Sequence, residues 1–366
     1  MSPCKRRFVA GRSFSELGEG NQTLRAKSVH GNLYTPDPTR QIGGVAVRGR
    51  EDTRRYAVVV GSANMDLVAT TERVPAAGET VTGIDFRTFP GGKGANQAVG
   101  VAKLGGRCFL IGKVGQDAFG DSLLASISGA GVEVDRVGRV KDASTGIAVI
   151  LVESGGENRI VVVRGANERV LPSDVDAAAD MISSAAALLV QLEVPLSAVS
   201  RAVQIAHEAG VKVILDPGPA PAEPLPDSLL EMVDVITPNQ LEASVLTGLT
   251  RVESQSDAER AGRRLLEKGV GTAVVKLGAD GAVVVSRTRE PVAIPGHRVK
   301  AVDTTAAGDT FAAALTVGIM EGLDDVEACV FANAAAAISV QRPGAQASIP
   351  TRSEVDAFLS RHPSRL

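Results

Sequence analysis

Tryptophan is absent from this chain, tyrosine occurs only twice, and three cysteines and four histidines are spread over 366 residues. So few large aromatics on a net-acidic chain make a poor nucleic-acid surface, and no nucleic-acid partner is expected. Cys4, Cys108 and Cys329 lie far apart with no C-x-x-C pair. That excludes a disulfide framework and a zinc site and fits a reducing compartment. The scattered histidines form no metal cluster and no catalytic dyad. No stretch approaches the roughly 18–20 apolar residues of a membrane span, so a soluble protein with no membrane partner is expected. No period of about 20–50 residues repeats, which excludes a solenoid.

Apolar material is plentiful at 44% of residues, enough for a real core. Length alone leaves open two ordinary domains or one large α/β domain. Charge is uneven. Residues 1–55 hold 11 Lys and Arg against 5 Asp and Glu, a balance of +6, and the other 28 against 37 give −9. This basic start lacks hydrophobic periodicity and reads as a disordered extension to a domain at 56–366. It is a plastid or mitochondrial targeting segment, an over-long reading of the start, or a dispensable tail; without a targeting role the protein is cytoplasmic. Glu16, Glu19 and Asp37 count against targeting.

From Tyr56 the character changes. Tyr56–Val60 is an apolar, valine-rich run closed by Gly61-Ser62, the pattern of a buried parallel strand. Asn64 and Asp66 follow at its carboxyl end, as turn formers or as ligand contacts. Strand-like segments within about 67–90 and 144–165, with a hairpin-like turn at Glu153–Asn158, predict a small, mostly antiparallel sheet. Such an insert serves as a lid, a dimer surface, or both. Beyond Gly165, strands at 186–192, 211–215, 233–236 and 273–277 alternate with helices at 197–209, 240–246 and 257–268. Repeated strand–helix units imply a parallel sheet covered on both faces. Polar residues recur at the strand ends: Gln191 and Glu193, Asp216, Asn239 and Glu242, Lys276 and Gly278. Their recurrence points to a single cleft along the sheet edge.

Two small-residue turns stand out. Pro90-Gly91-Gly92-Lys93-Gly94-Ala95-Asn96-Gln97-Ala98 precedes a helix reaching about Leu104. It is neither a G-x-x-x-x-G-K-[ST] phosphate loop nor a G-x-G-x-x-G fingerprint; it is a tight strand–helix turn or a place where backbone approaches a ligand. In Ala301-Val302-Asp303-Thr304-Thr305-Ala306-Ala307-Gly308-Asp309-Thr310-Phe311, an apolar run ends in small residues and an Ala-rich helix follows. Exposed amides and the positive end of a helix dipole hold an anion there. Asp309 is either an N-cap or a base beside that anion.

Asn64-Met65-Asp66, the glycine turn and the 303–311 segment, in this order, resemble the ribokinase-like (PfkB) carbohydrate kinases from about Tyr56 to Phe358. Gln191-Leu192-Glu193, the N-x-x-E element Asn239–Glu242 and Gly344–Ser348 extend the likeness. The resemblance implies a three-layer α/β/α fold with a mostly parallel central sheet and a small inserted β-sheet lid. It implies transfer of the ATP γ-phosphoryl group to the 5-hydroxyl of D-ribose. In this likeness Asp309 is the general base and the Ala306, Ala307 and Gly308 amides form the anion hole. Asn64, Met65, Asp66, Gly92, Lys93, Gly94, Ala95, Asn96 and Glu193 match sugar-binding positions. Asn239, the turn Lys276, Leu277, Gly278, Ala279, Asp280 and Gly281, with Gly308 and Asn333, match nucleotide-binding ones. Asn239 and Glu242 are similar to the pair that organises Mg²⁺ through water. Asp303, Thr305, Ser339, Arg342, Gly344 and Ser348 match a monovalent-cation loop favouring K⁺. Lys276 departs from many relatives, which carry Thr there, and residues 1–55 lie outside the pattern.

Phosphoryl transfer needs positioning and charge neutralisation, so amides, a metal and one base suffice. A sister kinase for another sugar or a nucleoside, and a sugar-binding regulator without catalysis, are the competing readings. An NAD-dependent enzyme lacks its fingerprint. The resemblance also implies a homodimer through the lid sheets.

Overall fold

The structure, a computed structural model, describes residues 56–155 and 157–362. The expected basic extension at 1–55 lies outside the described residues, as does Gly156 of the Glu153–Asn158 turn. Strand β1 (Tyr56–Val60) shows how the main sheet is built. Ala57 and Val59 enter one core and Val58 and Val60 the other, all fully buried. An apolar run without polar alternation demands such cover on both faces.

Along the chain follow β2 (Asn64–Thr71), β3 (Gly83–Gly91), β4 (Arg107–Gly115), β5 (Glu133–Val140), β6 (Gly146–Glu153) and β7 (Asn158–Val163). Then come β8 (Ala187–Val190), β9 (Lys212–Leu215), β10 (Val235–Ile236), β11 (Thr272–Lys276), β12 (Gly281–Ser286) and β13 (Val292–Pro295). Nine of them form one sheet in the order β13-β12-β11-β10-β9-β8-β1-β4-β5. From β11 to β5 every pairing is parallel; β12 and β13 are antiparallel additions at one edge. The parallel strands outside the expected set, β4 and β5, escape sequence reading because Gly112 and Lys113 interrupt β4 and charges dot β5.

The remaining strands form a separate sheet, β3-β2-β6-β7, at the predicted lid positions. Its central pairing, β2 with β6, is parallel, and the two outer ones are antiparallel. Asn64 and Asp66 are not turn residues after β1. They open β2, so the lid begins three residues earlier than its apolar stretch indicates.

Two Ala-rich helices, Ala307–Met320 and Asp325–Ser339, pack against each other, and the first also packs against the helix Lys93–Lys103. A Cβ on Gly100 would lie 2.6 Å from that of Ala313, so the first and third of these approach as closely as backbones allow. This contact carries the start of the helix Lys93–Lys103 to the start of Ala307–Met320.

Candidate active site

Both helix starts open at the carboxyl edge of the parallel strands. Gly92, at φ 89°, places its Cα where a Cβ would lie 2.6 Å from the Asn64 nitrogen. A Cβ on Gly94 would meet the Ser62 nitrogen at 2.5 Å. The turn thus lies directly on the end of β1, which is why glycine is required at both places. Behind it, Glu193 Oε2 accepts the Lys93 backbone N–H at 3.1 Å and the Ser62 hydroxyl at 2.5 Å.

Asp309 is buried in the first turn of the helix Ala307–Met320, and the N-cap is Ala306, not Asp309. Its carboxylate turns inward to three donors. Asn96 Nδ2 reaches Oδ2 at 2.9 Å, while Gln97 Nε2 and Lys93 Nζ reach Oδ1 at 3.1 and 3.4 Å. Such a side chain is held for work on a neighbour rather than for capping. Ala306 takes φ 57°, the one left-handed non-glycine residue among those described. This costs strain, and strain of that kind persists where a site over-determines it. The kink starts the helix abruptly. Ala307 N–H bonds the Thr304 carbonyl at 3.2 Å and Thr310 N–H that of Ala306 at 2.8 Å. Of the Ala306, Ala307 and Gly308 amides expected to form the anion hole, that of Ala307 is thus taken by the Thr304 carbonyl; Gly308 and, next to it, Asp309 lie where helix geometry supplies no intrahelical acceptor for their N–H groups.

On the lid side, Asn64, Asp66 and Glu193 gather beside Gly91 and Gly92. Burial, then the Glu193 and Asp309 charges, push Asp66 up to about 7. Met65 is buried beneath, and Gly94 and Ala95 form the first helical turn. Asn167, unread in the sequence, donates Nδ2 to Asn64 Oδ1 at 2.7 Å and grips both the N–H and the carbonyl of Ala63. Its one signal is the tripeptide Gly165-Ala166-Asn167, which repeats Gly94-Ala95-Asn96.

On the opposite side of Asp309 is a cavity of about 580 Å³, lined by Asn239, Glu242, Lys276, Gly278, Gly281, Ala306–Asp309, Phe311 and Asn333, among others. The expected nucleotide turn is there in part: Gly278 and Gly281 face the cavity, whereas Leu277 enters the core and Ala279 and Asp280 close the 3₁₀ turn. Asn333 Nδ2 is fastened to the Pro295 carbonyl at 2.7 Å. Lys93 departs from its sugar-side expectation. Its backbone meets Glu193, but its ammonium lines this cavity between Asp216 and Asp309, at 3.3 and 3.4 Å. Burial pulls Lys93 down, yet the carboxylates of Asp216, Asp309, Glu193 and Glu242 outweigh it and hold the ammonium well above its usual range. Gln97, Gln191 and Asp216, not singled out beforehand as binding residues, link the two sides. Gln97 donates to Asp216 at 2.9 Å and to Asp309, and accepts from Gln191 Nε2 at 2.5 Å.

The pfkB family carbohydrate kinase profile matches residues 54–352. This chain belongs to that family. The Haemophilus influenzae ribokinase is 42% identical to it over 84% of this chain and 99% of its own. The Schizosaccharomyces pombe ribokinase is 43% identical over 83% and 97% of the two chains. Among solved structures, Arabidopsis thaliana ribokinase complexed with ribose and ATP matches with a TM-score of 0.79 and 38% identity, over 83% of this chain and 98% of that one.

Within this pfkB-family kinase, the residues expected near metals fit hard cations. Asn239 and Glu242 first serve each other: Asn239 Oδ1 accepts the Glu242 N–H and Glu242 Oε2 the Asn239 N–H, both at 2.8 Å. Oε1 of this buried carboxylate takes no part in that pair and would be available to a water-held Mg²⁺. Burial, then the Asp216 charge, raise Glu242 above the usual carboxylate range, and a cation would relieve that. Asp303 ties two loops together, accepting Thr305 N–H at 2.9 Å and Gly344 N–H at 2.8 Å. Arg342 N–H bonds the Ser339 carbonyl at 3.1 Å, the Arg342 guanidinium pairs with Glu354, and the buried Ser348 hydroxyl donates to Ala345. Carbonyl, hydroxyl and carboxylate oxygens on adjoining loops suit a weakly hydrated monovalent cation.

Proposed function

We propose that this pfkB-family protein is a ribose kinase: it transfers the γ-phosphoryl group of ATP to O5 of D-ribose, giving D-ribose 5-phosphate and ADP. The observation that carries this reading is Asp309, held by Asn96, Gln97 and Lys93 on the wall of the cavity of about 580 Å³. The sugar hydroxyl gives its proton to an Asp309 oxygen as its own oxygen bonds phosphorus, and the bond from phosphorus to the ADP oxygen breaks. Gly308 and Asp309 N–H groups, with the helix dipole, stabilise the charge on the moving phosphoryl group. Lys93 adds a positive charge beside it. Asn64, Asp66 and Glu193 offer one amide and two carboxyls to sugar hydroxyls. Asn239 and Glu242 would hold a Mg²⁺ through water, which would neutralise phosphate charge. Asp303, Thr305, Ser339, Arg342, Gly344 and Ser348 would hold a K⁺, whose charge would steady the neighbouring anion hole.

Ribose over a nucleoside is supported by how little is available to stack on a base. Tyr56, the one tyrosine among the described residues, stands at the start of β1, the opposite end from the glycine turn, and is bonded to the Met181 carbonyl at 2.9 Å. A homodimer is supported by apolar side chains exposed on the lid, including Ile84, Phe86 and Val161. A reducing, cytoplasmic setting is supported by Cys108 and Cys329, both buried free thiols; no helix of the described residues is long and apolar enough to cross a membrane.

The test is ADP release from Mg-ATP with D-ribose, 2-deoxyribose, fructose or adenosine, in K⁺ or choline, for wild type and Asp309→Ala. Ribose-selective turnover that falls by about 10²–10⁴ in the variant supports both substrate and base. Turnover on another acceptor moves the substrate and keeps the mechanism. No turnover with ribose still bound sinks the kinase in favour of a sugar-binding protein. Equal rates in K⁺ and choline remove the cation loop.

A further inference from the structure

Asp216 is the most enclosed carboxylate of the site, with 1% of its side chain exposed, and the phosphoryl transfer described above gives it no task. It directly follows β9, in the middle of the sheet. Its Oδ1 accepts Lys276 Nζ at 3.1 Å, and its Oδ2 accepts Gln97 Nε2 at 2.9 Å and Lys93 Nζ at 3.3 Å. Two ammonium groups therefore converge on one buried carboxylate, each from a different strand end or turn. A carboxylate in such surroundings persists only when paired, and both of its oxygens are.

The lysines are not used up by this pairing. Each ammonium has three donors. Lys276 spends one on Asp216 and otherwise lies 6.0 Å from the Phe311 ring centre, a cation–π contact that asks for no hydrogen bond. Its side chain lines the 580 Å³ cavity with 13% exposed. The Lys276 ammonium also lies 3.5 Å from where a Gly308 side chain would begin, beside the amides that open the helix Ala307–Met320. Glycine at 308 keeps that approach open. Cationic donors thus face the same point from three directions: Lys276, Lys93 and the helix start.

We infer that Asp216 is a positioning residue that holds Lys276 and Lys93 as a two-ammonium clamp on the terminal phosphates of the nucleotide, with the Lys276 side chain contacting them. The inference rests on the kinase reading and deepens it. Asp216 keeps both lysines extended in a site without phosphate; the triphosphate then takes the free donors at little reorganisation cost. Gln97 ties the clamp to Asp309, so the base and the phosphate-binding cations keep one spacing. A purely structural pair, by contrast, would only fasten β11 to β9.

The test uses the full chain with Lys276→Met, Lys276→Arg, Asp216→Asn and the double variant Lys276→Met/Asp216→Asn. It reads kcat and KM for ATP, and calorimetric Kd values for ATP, AMP and ribose. Lys276→Met is expected to lower kcat by on the order of 10² and to weaken ATP about tenfold more than AMP, with ribose binding within about twofold of wild type. Lys276→Arg restores part of the loss. Asp216→Asn moves the same quantities the same way, and the double variant is no slower than Asp216→Asn alone. Unchanged kcat and KM in Lys276→Met, equal weakening of ATP and AMP, or multiplying losses in the double variant overturns the clamp. If Asp216→Asn does not fold, the Met and Arg variants at 276 decide alone. A wild type that binds ATP without phosphorylating any sugar removes the kinase reading, while the ATP-over-AMP comparison still decides the clamp.

Discussion

At Asp66, burial and the neighbouring charges of Glu193 and Asp309 raise the carboxyl from 3.8 to about 7, so the folded protein binds this proton more tightly than the unfolded chain. The contribution of this group to stability is full below about pH 4, declines as pH rises toward 7, and is flat beyond that. Asp66→Asn removes the penalty. Thermal unfolding of wild type and Asp66→Asn between pH 5 and 8 is expected to show the variant gaining on wild type as pH rises; a constant offset would count against a raised Asp66. A second residue, Asn167, acts through amide orientation. By donating to Asn64 Oδ1 it leaves Asn64 Nδ2 as a donor, which in the proposed reading serves a sugar hydroxyl. Asn167→Asp offers only acceptors, turns the Asn64 amide over, and is expected to weaken ribose by about 1–3 kcal/mol with KM for ATP unchanged. Calorimetry with ribose and with ATP separates this from general damage, in which both ligands would weaken.

At the scale of elements, the glycine turn before the helix Lys93–Lys103 was legible because backbone needs are written locally. Gly92 combines a φ of 89° with a Cβ position 2.6 Å from the Asn64 nitrogen. Gly105 has a similar φ of 92° with nothing within 4 Å of its Cβ position. Gly92→Ala therefore meets both strain and a backbone clash, whereas Gly105→Ala meets strain alone, at about 1–3 kcal/mol. Urea unfolding is expected to rank Gly92→Ala as the more destabilised, and only that variant is expected to lose ribose affinity. Equal losses in both would mean that the turn does not press on the sugar site. The strand β2 was less legible. Asn64 and Asp66 interrupt its apolar pattern: Asn64 is bonded to Asn167 and Asp66 lies against Gly91, so polar contacts hid the strand that carries them.

In the whole molecule, the lid presents two faces. Register puts Asp66, Phe89, Ala148 and Val162 in one row, on the side of the site residues. On the other side, Phe86, Ala69, Leu151 and Arg159 form one row and Thr88, Leu67, Val149 and Val161 the next. Phe86 is 62% exposed and Val161 63%. Large apolar side chains clustered in this way mark an interface. Sedimentation is expected to find a dimer for wild type and a monomer for Phe86→Lys/Val161→Lys. A wild-type monomer at micromolar concentration would remove the lid as the dimer surface.

By itself the sequence determined the αβ alternation, the lid segments, both glycine turns and Asp309, because each depends on neighbours along the chain: apolar period, permitted φ, a helix start. Only the tertiary structure decided which polar groups meet. Gln97 and Lys93 reach Asp309 across 212 and 216 residues, Asn167 reaches Asn64 across 103, and Lys276 reaches Asp216 across 60. Those pairings follow from the order of strands in the sheet and from the close approach of the helices at Gly100 and Ala313, and no local pattern encodes either.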